Sequence, residues 1–257
     1  MSAAESAAPM PASGADRLSR LRARRVMFLT PVYRDTAWQY TRSLVDTVLA
    51  LERYGIHHRA QMVIGNSNLP RARNELAAEF LATDCTDAFL IDSDMEWQPN
   101  DVMRLLGSEQ PLIGAVGRKR VDVPDTDPAG WCVRFLPGGR EGLRQDELGA
   151  IEVQGVGTGF LKIERRVFEA LIDAHPDWKR SGFASMKPEV REKYFKFFRF
   201  PESEEMGEDY SFCEAWRALG GSVWMDPEIS IGHAGSHTFK GSISALFESA
   251  TPVREVA

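Results

Sequence analysis

The sequence predicts an α/β domain with a Rossmann-like sheet and helices on both faces. Two observations carry that prediction. Apolar runs of strand length at Val26–Leu29, Ala60–Ile64 and Ala88–Ile91 alternate with helical spacing over Trp38–Tyr54 and Leu69–Ala82. That β-α-β-α-β order signals a parallel sheet covered by helices. A length of 257 residues, 43% of them hydrophobic, suits one large domain better than two small ones.

Each element has a local reason. Pro31 in Thr30-Pro31-Val32-Tyr33 is expected to stop the first strand. Leu44, Val45, Val48, Leu49 and Leu51 give the first long helix its apolar residues, and Gly55 is a candidate C-cap. Gly65-Asn66-Ser67-Asn68 closes the second strand, and Pro70 falls in the first turn of the next helix, where proline is tolerated. The third strand ends in Asp92-Ser93-Asp94. Pro99–Leu106 reads as a short helix and Pro111–Val116 as a strand. Residues 117–150 read as irregular, opening on Arg118, Lys119 and Arg120. Gly155, Gly157 and Gly159 lead into an alternating strand that ends at Ile163, and a helix follows over Arg165–Ala174. Residues 175–206 carry Trp178, Phe183, Tyr194, Phe195, Phe197, Phe198 and Phe200. That stretch is too long for a plain connection and reads as an insertion or lid. Gly207 opens the last clear helix, and Val223-Trp224-Met225 is a final strand before Gly232-His233-Ala234-Gly235. One domain is expected over 25–247, between a disordered tail with a short basic helix at 1–24 and a C-terminal tail at 248–257.

A net charge of −6 argues against a nucleic-acid coat or a basic membrane-surface protein. Three dispersed cysteines with no CxxC pair argue against structural zinc and a disulfide framework, and point to a cytoplasmic setting. No apolar run approaches the roughly 18 residues a membrane span needs. No GxGxxG follows the first strand, so a dinucleotide fingerprint is absent.

Asp92 and Asp94 stand at the C-terminal end of a buried strand, where open α/β sheets bind ligands. Continued strand geometry would aim both carboxylates at one point. Two hard oxygen donors there suit Mg²⁺ or Mn²⁺ shared with phosphates. The competing reading is a turn whose carboxylates cap the next helix. Glu208 and Asp209 open a helix, where acidic residues favour the dipole. Capping therefore competes with a role as general base or sugar-hydroxyl acceptor. A base there needs burial or its neighbour to raise a pKa that the dipole lowers. The three glycines permit close ligand approach or positive φ. A bulge explains them equally. His233, with His237 as competitor, could complete a divalent-metal shell, and a structural histidine is the alternative. Arg71, Arg73 and Asn74 could bind a phosphate or line a solvated helix face.

Val26–Tyr33, Leu69–Asn74, Asp92-Ser93-Asp94, Gly155–Gly159, Gly207-Glu208-Asp209 and His233 occur in the order seen in GT-A glycosyltransferases, and the chain resembles their family-two-like inverting members over about residues 25 to 240. The resemblance implies a GT-A mixed sheet with a nucleotide-binding N-terminal half. It implies that Thr30, Pro31 and Tyr33 hold the base of a UDP- or GDP-sugar and that Arg73 sits by the nucleotide. Asp92, beside Ser93, would face the ribose or the metal, and Asp94 and His233 would bind Mn²⁺ or Mg²⁺. Gly157 and Gly159 would lie against donor sugar and acceptor. Asp209 would be the base, supported by Glu208. The aromatic insertion leaves the acceptor open. The lack of a QxxRW motif and of membrane spans argues against a processive synthase. Two other readings stand beside this one: a sugar-1-phosphate nucleotidyltransferase, and a non-catalytic carbohydrate-binding module on the same fold.

Overall fold

The computed structural model describes residues 14–138, 142–200, 206–235 and 237–248. Of the tails expected at 1–24 and 248–257, residues 1–13 and 249–257 lie outside the described residues, as do residues 201–205 of the expected insertion.

The N-terminal half follows the apolar pattern. Helix α1 (Gly14–Arg22) precedes β1 (Arg25–Val32), α2 (Trp38–Tyr54), β2 (His57–Ile64), α3 (Leu69–Leu81) and β3 (Asp87–Ile91). A short β4 (Met95–Glu96), α4 (Pro99–Leu106) and β5 (Leu112–Gly114) come next. Residues 117–150 include a 3₁₀ turn (Pro128–Gly130) and β6 (Val133–Arg134). Then follow β7 (Ile151–Val153), β8 (Gly155–Val156), β9 (Phe160–Glu164), α5 (Arg165–Ala174) and α6 (Pro188–Arg191). The chain closes through α7 (Glu208–Ala218), β10 (Val223–Met225), β11 (Ile231–Ala234), β12 (Thr238–Gly241) and α8 (Ala245–Glu248).

Seven strands form one mixed sheet in the order β2-β1-β3-β9-β5-β10-β7. β1 is parallel to β2 and β3, and β10 is parallel to β5. β9 runs antiparallel between β3 and β5, and β7 is antiparallel at the edge. Helices cover both faces because the strands alternate. Val26, Phe28, Phe89 and Ile91 join Tyr40 and Leu51 of α2 and Leu105 of α4 in one core. Met27, Leu29, Ala88 and Leu90 join Phe80 of α3, Phe168 of α5 and Phe212 of α7 in the other. Gly55 caps α2 at φ 70°, and Asn68 caps α3 by accepting from the Arg71 N–H. Among the described residues no helix is long and apolar enough to cross a membrane.

Three expectations differ from the structure. Pro31 does not end β1, which pairs with β2 as far as Val32–Ile64. β3 accompanies β1 only to Leu29, so the missing N–H sits where β1 has a neighbour on one side alone. The strand after the glycines is buried throughout rather than alternating, because β9 lies mid-sheet. Its fully buried Lys162 donates to the Ser108 carbonyl at 3.2 Å and to Glu164 at 3.4 Å. Burial pushes this ammonium pKa down, against the pull of Asp87 and Glu164. The aromatic segment is not a free lid as far as Phe198. Trp178, Phe195, Phe197 and Phe198 are buried in the core, where large rings gain most from leaving water.

Asn74 fixes that segment to α3. Its amide donates to the Phe198 carbonyl at 2.8 Å and accepts the Phe198 N–H at 2.9 Å. Replacing Asn74 with Ala strands both backbone groups in the core, each costing about 1–3 kcal/mol. The expected result is a lower urea midpoint with an unchanged m-value; an unmoved midpoint would show that the pair is dispensable.

Candidate functional site

The strand carrying the Asp pair ends at Ile91, and a turn follows: the Asp92 N–H donates to the Gly159 carbonyl (3.1 Å) and the Met95 N–H to the Asp92 carbonyl (3.2 Å). Period-two geometry therefore does not continue, and the two carboxylates diverge instead of meeting. The chain is then clamped to α2. Trp97 exchanges backbone hydrogen bonds with Ser43 Oγ (2.8 and 3.1 Å) and donates its indole N–H to Thr47 (2.9 Å). β4 pairs with β11, setting His233 opposite Met95, and the Ala234 N–H donates to the Asp94 carbonyl at 2.8 Å.

Asp92 turns toward Arg73, whose Nη2 donates to its two oxygens at 2.9 and 3.2 Å. Nη1 of the same guanidinium pairs with Glu208 at the start of α7. Arg73 is buried, so it is not a solvated helix-face residue. Asp94 turns the other way. It pairs with Arg120, and its Oδ2 lies 3.5 Å from His233 Nε2. His233 Nδ1 lies 2.9 Å from the Arg118 carbonyl, which orients Nε2 toward Asp94. His237 packs tilted against Phe239, with ring centroids 3.9 Å apart, and His233 is the histidine beside Asp94.

Burial works to raise the Asp94 pKa, but the His233 hydrogen bond and the charges of His233 and Arg120 hold it below the ordinary carboxylate range. Burial likewise works to lower His233, and its bonds to Asp94 and Arg118 lift it above the ordinary imidazole value. Asp209 moves opposite to Asp94. Burial pushes its carboxyl up and the Glu208 charge adds to this, against the Tyr210 N–H and Arg73. Its Oδ1 takes the Tyr210 N–H at 2.8 Å, so the helix-start role is real and involves one oxygen.

A cleft of about 230 Å³ gathers Arg73, Asp92, Gly157, Gly159, Asp209 and His233. A wider groove of about 470 Å³ adjoins it and holds Tyr33, Ser93, Asp94 and Arg120. Thr30 and Pro31 line neither. Thr30 is buried with its hydroxyl 2.6 Å from that of Tyr40, and Pro31 is buried within β1. They shape the sheet end from inside. The three glycines all lack positive φ. They make room instead: a Cβ on Gly155 would meet the Tyr210 ring at 2.8 Å, and one on Gly157 would meet Cys132 at 3.2 Å with Asp209 Oδ2 at 3.6 Å. Lys119, Cys132, Thr158 and Tyr210 also line the cleft without having been singled out by sequence as site residues. The basic run at 118–120 was the available signal for Lys119 and Arg120. Burial pushes the Cys132 thiol up, away from a reactive thiolate.

Among the described residues no cluster of three or more His, Cys, Asp or Glu side chains forms a metal shell. Asp94 and His233 supply two donors, and Asp94 Oδ1 is buried with no hydrogen-bond partner. That orphaned oxygen fits a hard divalent cation whose other ligands come from phosphates.

The Arg73 clamp makes a sharp prediction. Arg73→Met leaves two part-buried carboxylates without their cation and is expected to cost about 3–5 kcal/mol in urea unfolding. Arg73→Lys should recover little, since a point ammonium does not reproduce a forked donor. Wild-type stability in the Met variant would show that the clamp is not structural.

No family model matches this chain, and no curated protein matches it. Among solved structures, one similar chain is GalNAc-T7 with UDP, GalNAc and Mn²⁺, at 13% identity and a TM-score of 0.48, over 82% of this chain. This chain spans 44% of that one, less than half its length.

Proposed function

We propose that the protein is a GT-A-type glycosyltransferase that moves a sugar from a UDP- or GDP-sugar to an acceptor hydroxyl, with inversion, in a cytoplasmic setting. One observation carries this reading. Three carboxylates, Asp92 and Asp94 from the turn after β3 and Asp209 from α7, stand around two adjoining clefts at the C-terminal end of β3, whose linings also hold Gly157, Gly159 and the cations Arg34, Arg73, Lys119 and Arg120.

Each residue then has a task. Tyr33 and Ser93 flank the nucleotide, with Thr30 and Pro31 shaping the strand end beneath them. Asp92, held by Arg73, faces the ribose or the donor sugar. Gly157 and Gly159 leave the donor sugar room to lie against backbone. Asp209 Oδ2 takes the acceptor proton as the acceptor oxygen bonds to the anomeric carbon and the nucleoside diphosphate leaves with the bonding pair. Glu208 supports that base by keeping its pKa up. Lys119 and Arg120 are placed to receive the diphosphate charge. Asp94 and His233 would hold Mn²⁺ or Mg²⁺, and the bound ion would supply Lewis-acid stabilisation of the leaving group.

Asp209→Asn is expected to lower kcat about 10²–10⁴-fold with little change in donor affinity. A raised carboxyl pKa makes the folded state bind more protons than the unfolded chain. Its stabilising contribution is full below the unfolded value near 3.8 and is lost as pH rises through the raised value. Asp209→Asn should therefore melt at or above the wild-type temperature at pH 7 and lose that advantage at low pH. A less stable, equally active variant would make Asp209 a helix cap and no more.

The donor is tested by melting temperature with UDP, GDP and their sugars, with and without Mn²⁺, on the native chain and on Asp94→Asn. A shift confined to one nucleotide, dependent on metal and lost in the variant, is the expected outcome. No shift with any nucleotide overturns the proposal.

A further inference from the structure

A groove of about 620 Å³ opens between the start of α3 and the 180–200 segment. Its lining carries Arg71, Arg180, Lys196 and Arg199, and no carboxylate among the described residues. That is a local inversion of charge in a chain of net charge −6. Among the described residues, Arg71 is the one of the four with a carboxylate partner, Glu75 at 3.0 Å. Arg180 donates to the backbone carbonyls of Asp177 and Lys179 at 2.6 and 2.7 Å. Lys196 makes no side-chain hydrogen bond or ion pair among the described residues. Two of the guanidinium groups lie over aromatic rings: Arg71 over Phe183 at 3.6 Å and Arg199 over Trp178 at 4.2 Å. Stacking fixes the plane of a guanidinium and leaves its N–H edge free for an oxyanion. Phe200 stands in the same groove with its ring 67% exposed, an apolar surface suited to the C–H face of a sugar ring.

The groove shares a wall with the candidate active cleft. Phe198 lines it and stacks on Phe212 of α7 at 4.7 Å and 14°, on the helix that carries Asp209. Asn74 lines it as well, and the preceding residue, Arg73, lines the cleft. A ligand seated here extends from the side of the base, opposite in the fold to Tyr33 and the nucleotide groove.

We infer that this groove is the acceptor subsite and that it selects a saccharide bearing an oxyanion, a phosphate or a carboxylate. The inference rests on the transferase reading for the word acceptor, and on the groove's own residues for the anion.

The test is equilibrium binding of glucose 6-phosphate, glucuronate and glucose to the native chain and to Lys196→Glu/Arg199→Glu, followed by backbone NMR shifts. One or both anionic sugars should bind, with shifts clustered at 180–200, at least 10-fold tighter than glucose and more weakly as salt rises. Which of the two binds identifies the anion as phosphate or carboxylate. The double variant should lose at least 10-fold in that affinity and keep the native melting temperature and its response to nucleotide. Equal binding by native and variant, or shifts confined to the Asp209 cleft, overturns the inference even if nucleotide still stabilises the chain. Preference for a single-stranded oligonucleotide over either sugar overturns it too. Groove binding without any nucleotide response leaves an anion site and overturns the transferase reading.

Discussion

One desolvated guanidinium sets the geometry on which the candidate site depends. Arg73 is 3% exposed, so it needs anionic partners at fixed distances, and it finds them at the end of β3 and at the start of α7. The neighbouring α3 and β3 and the sequence-distant α7 are thereby held in register. The neighbouring positions inherit their places: Asn74 fastens the aromatic segment, and Asp209 is delivered one residue beyond Glu208. A buried triad of this kind is poor evidence of net stabilisation, since desolvation offsets most of the Coulomb attraction. Its value here is positional.

The same environment separates carboxylates that the sequence presents as alike. Asp94 is kept charged by a histidine and an arginine, which suits binding a cation or answering phosphate charge. Asp209 is made more basic by burial and by a like-charged neighbour, which suits taking a proton. Finding titratable groups whose surroundings push them apart is the usual route to assigning acid, base and ligand roles. Asp209 lines the smaller cleft and Asp94 the adjoining groove.

The N-terminal half was legible because each strand and helix there carries its own signal. Val26–Leu29 and Ala88–Ile91 are continuous apolar runs, and Gly55 and Asn68 act as the caps their residue types suggest. The site motifs were legible as residues, and their division between two adjoining clefts was not. The divergence of Asp92 from Asp94 depends on a backbone hydrogen bond to Gly159, 67 positions on, which no local pattern encodes. β4 and β11, of two and four residues, are too short to show periodicity, yet their pairing is what brings His233 to Asp94. Lys162 reads as a polar, outward position, because a strand's burial on both faces follows from its place in the sheet. The aromatic stretch looked like an appendage because its partners, Phe168 and Phe212, flank it in sequence and reveal their packing only in three dimensions.

The antiparallel β9 has a consequence for how the chain comes into being. β2, β1 and β3 are complete once residue 91 has been made, but the neighbour of β3 ends at residue 164. Through that interval a nascent chain carries Ala88-Phe89-Leu90-Ile91 as an open apolar edge, the kind of strand that templates intermolecular pairing. Closing the sheet joins residues about 70 positions apart, which makes that step slow relative to formation of the first half. A chain interrupted before Phe160 would therefore be aggregation-prone although its three parallel strands β2, β1 and β3 are complete.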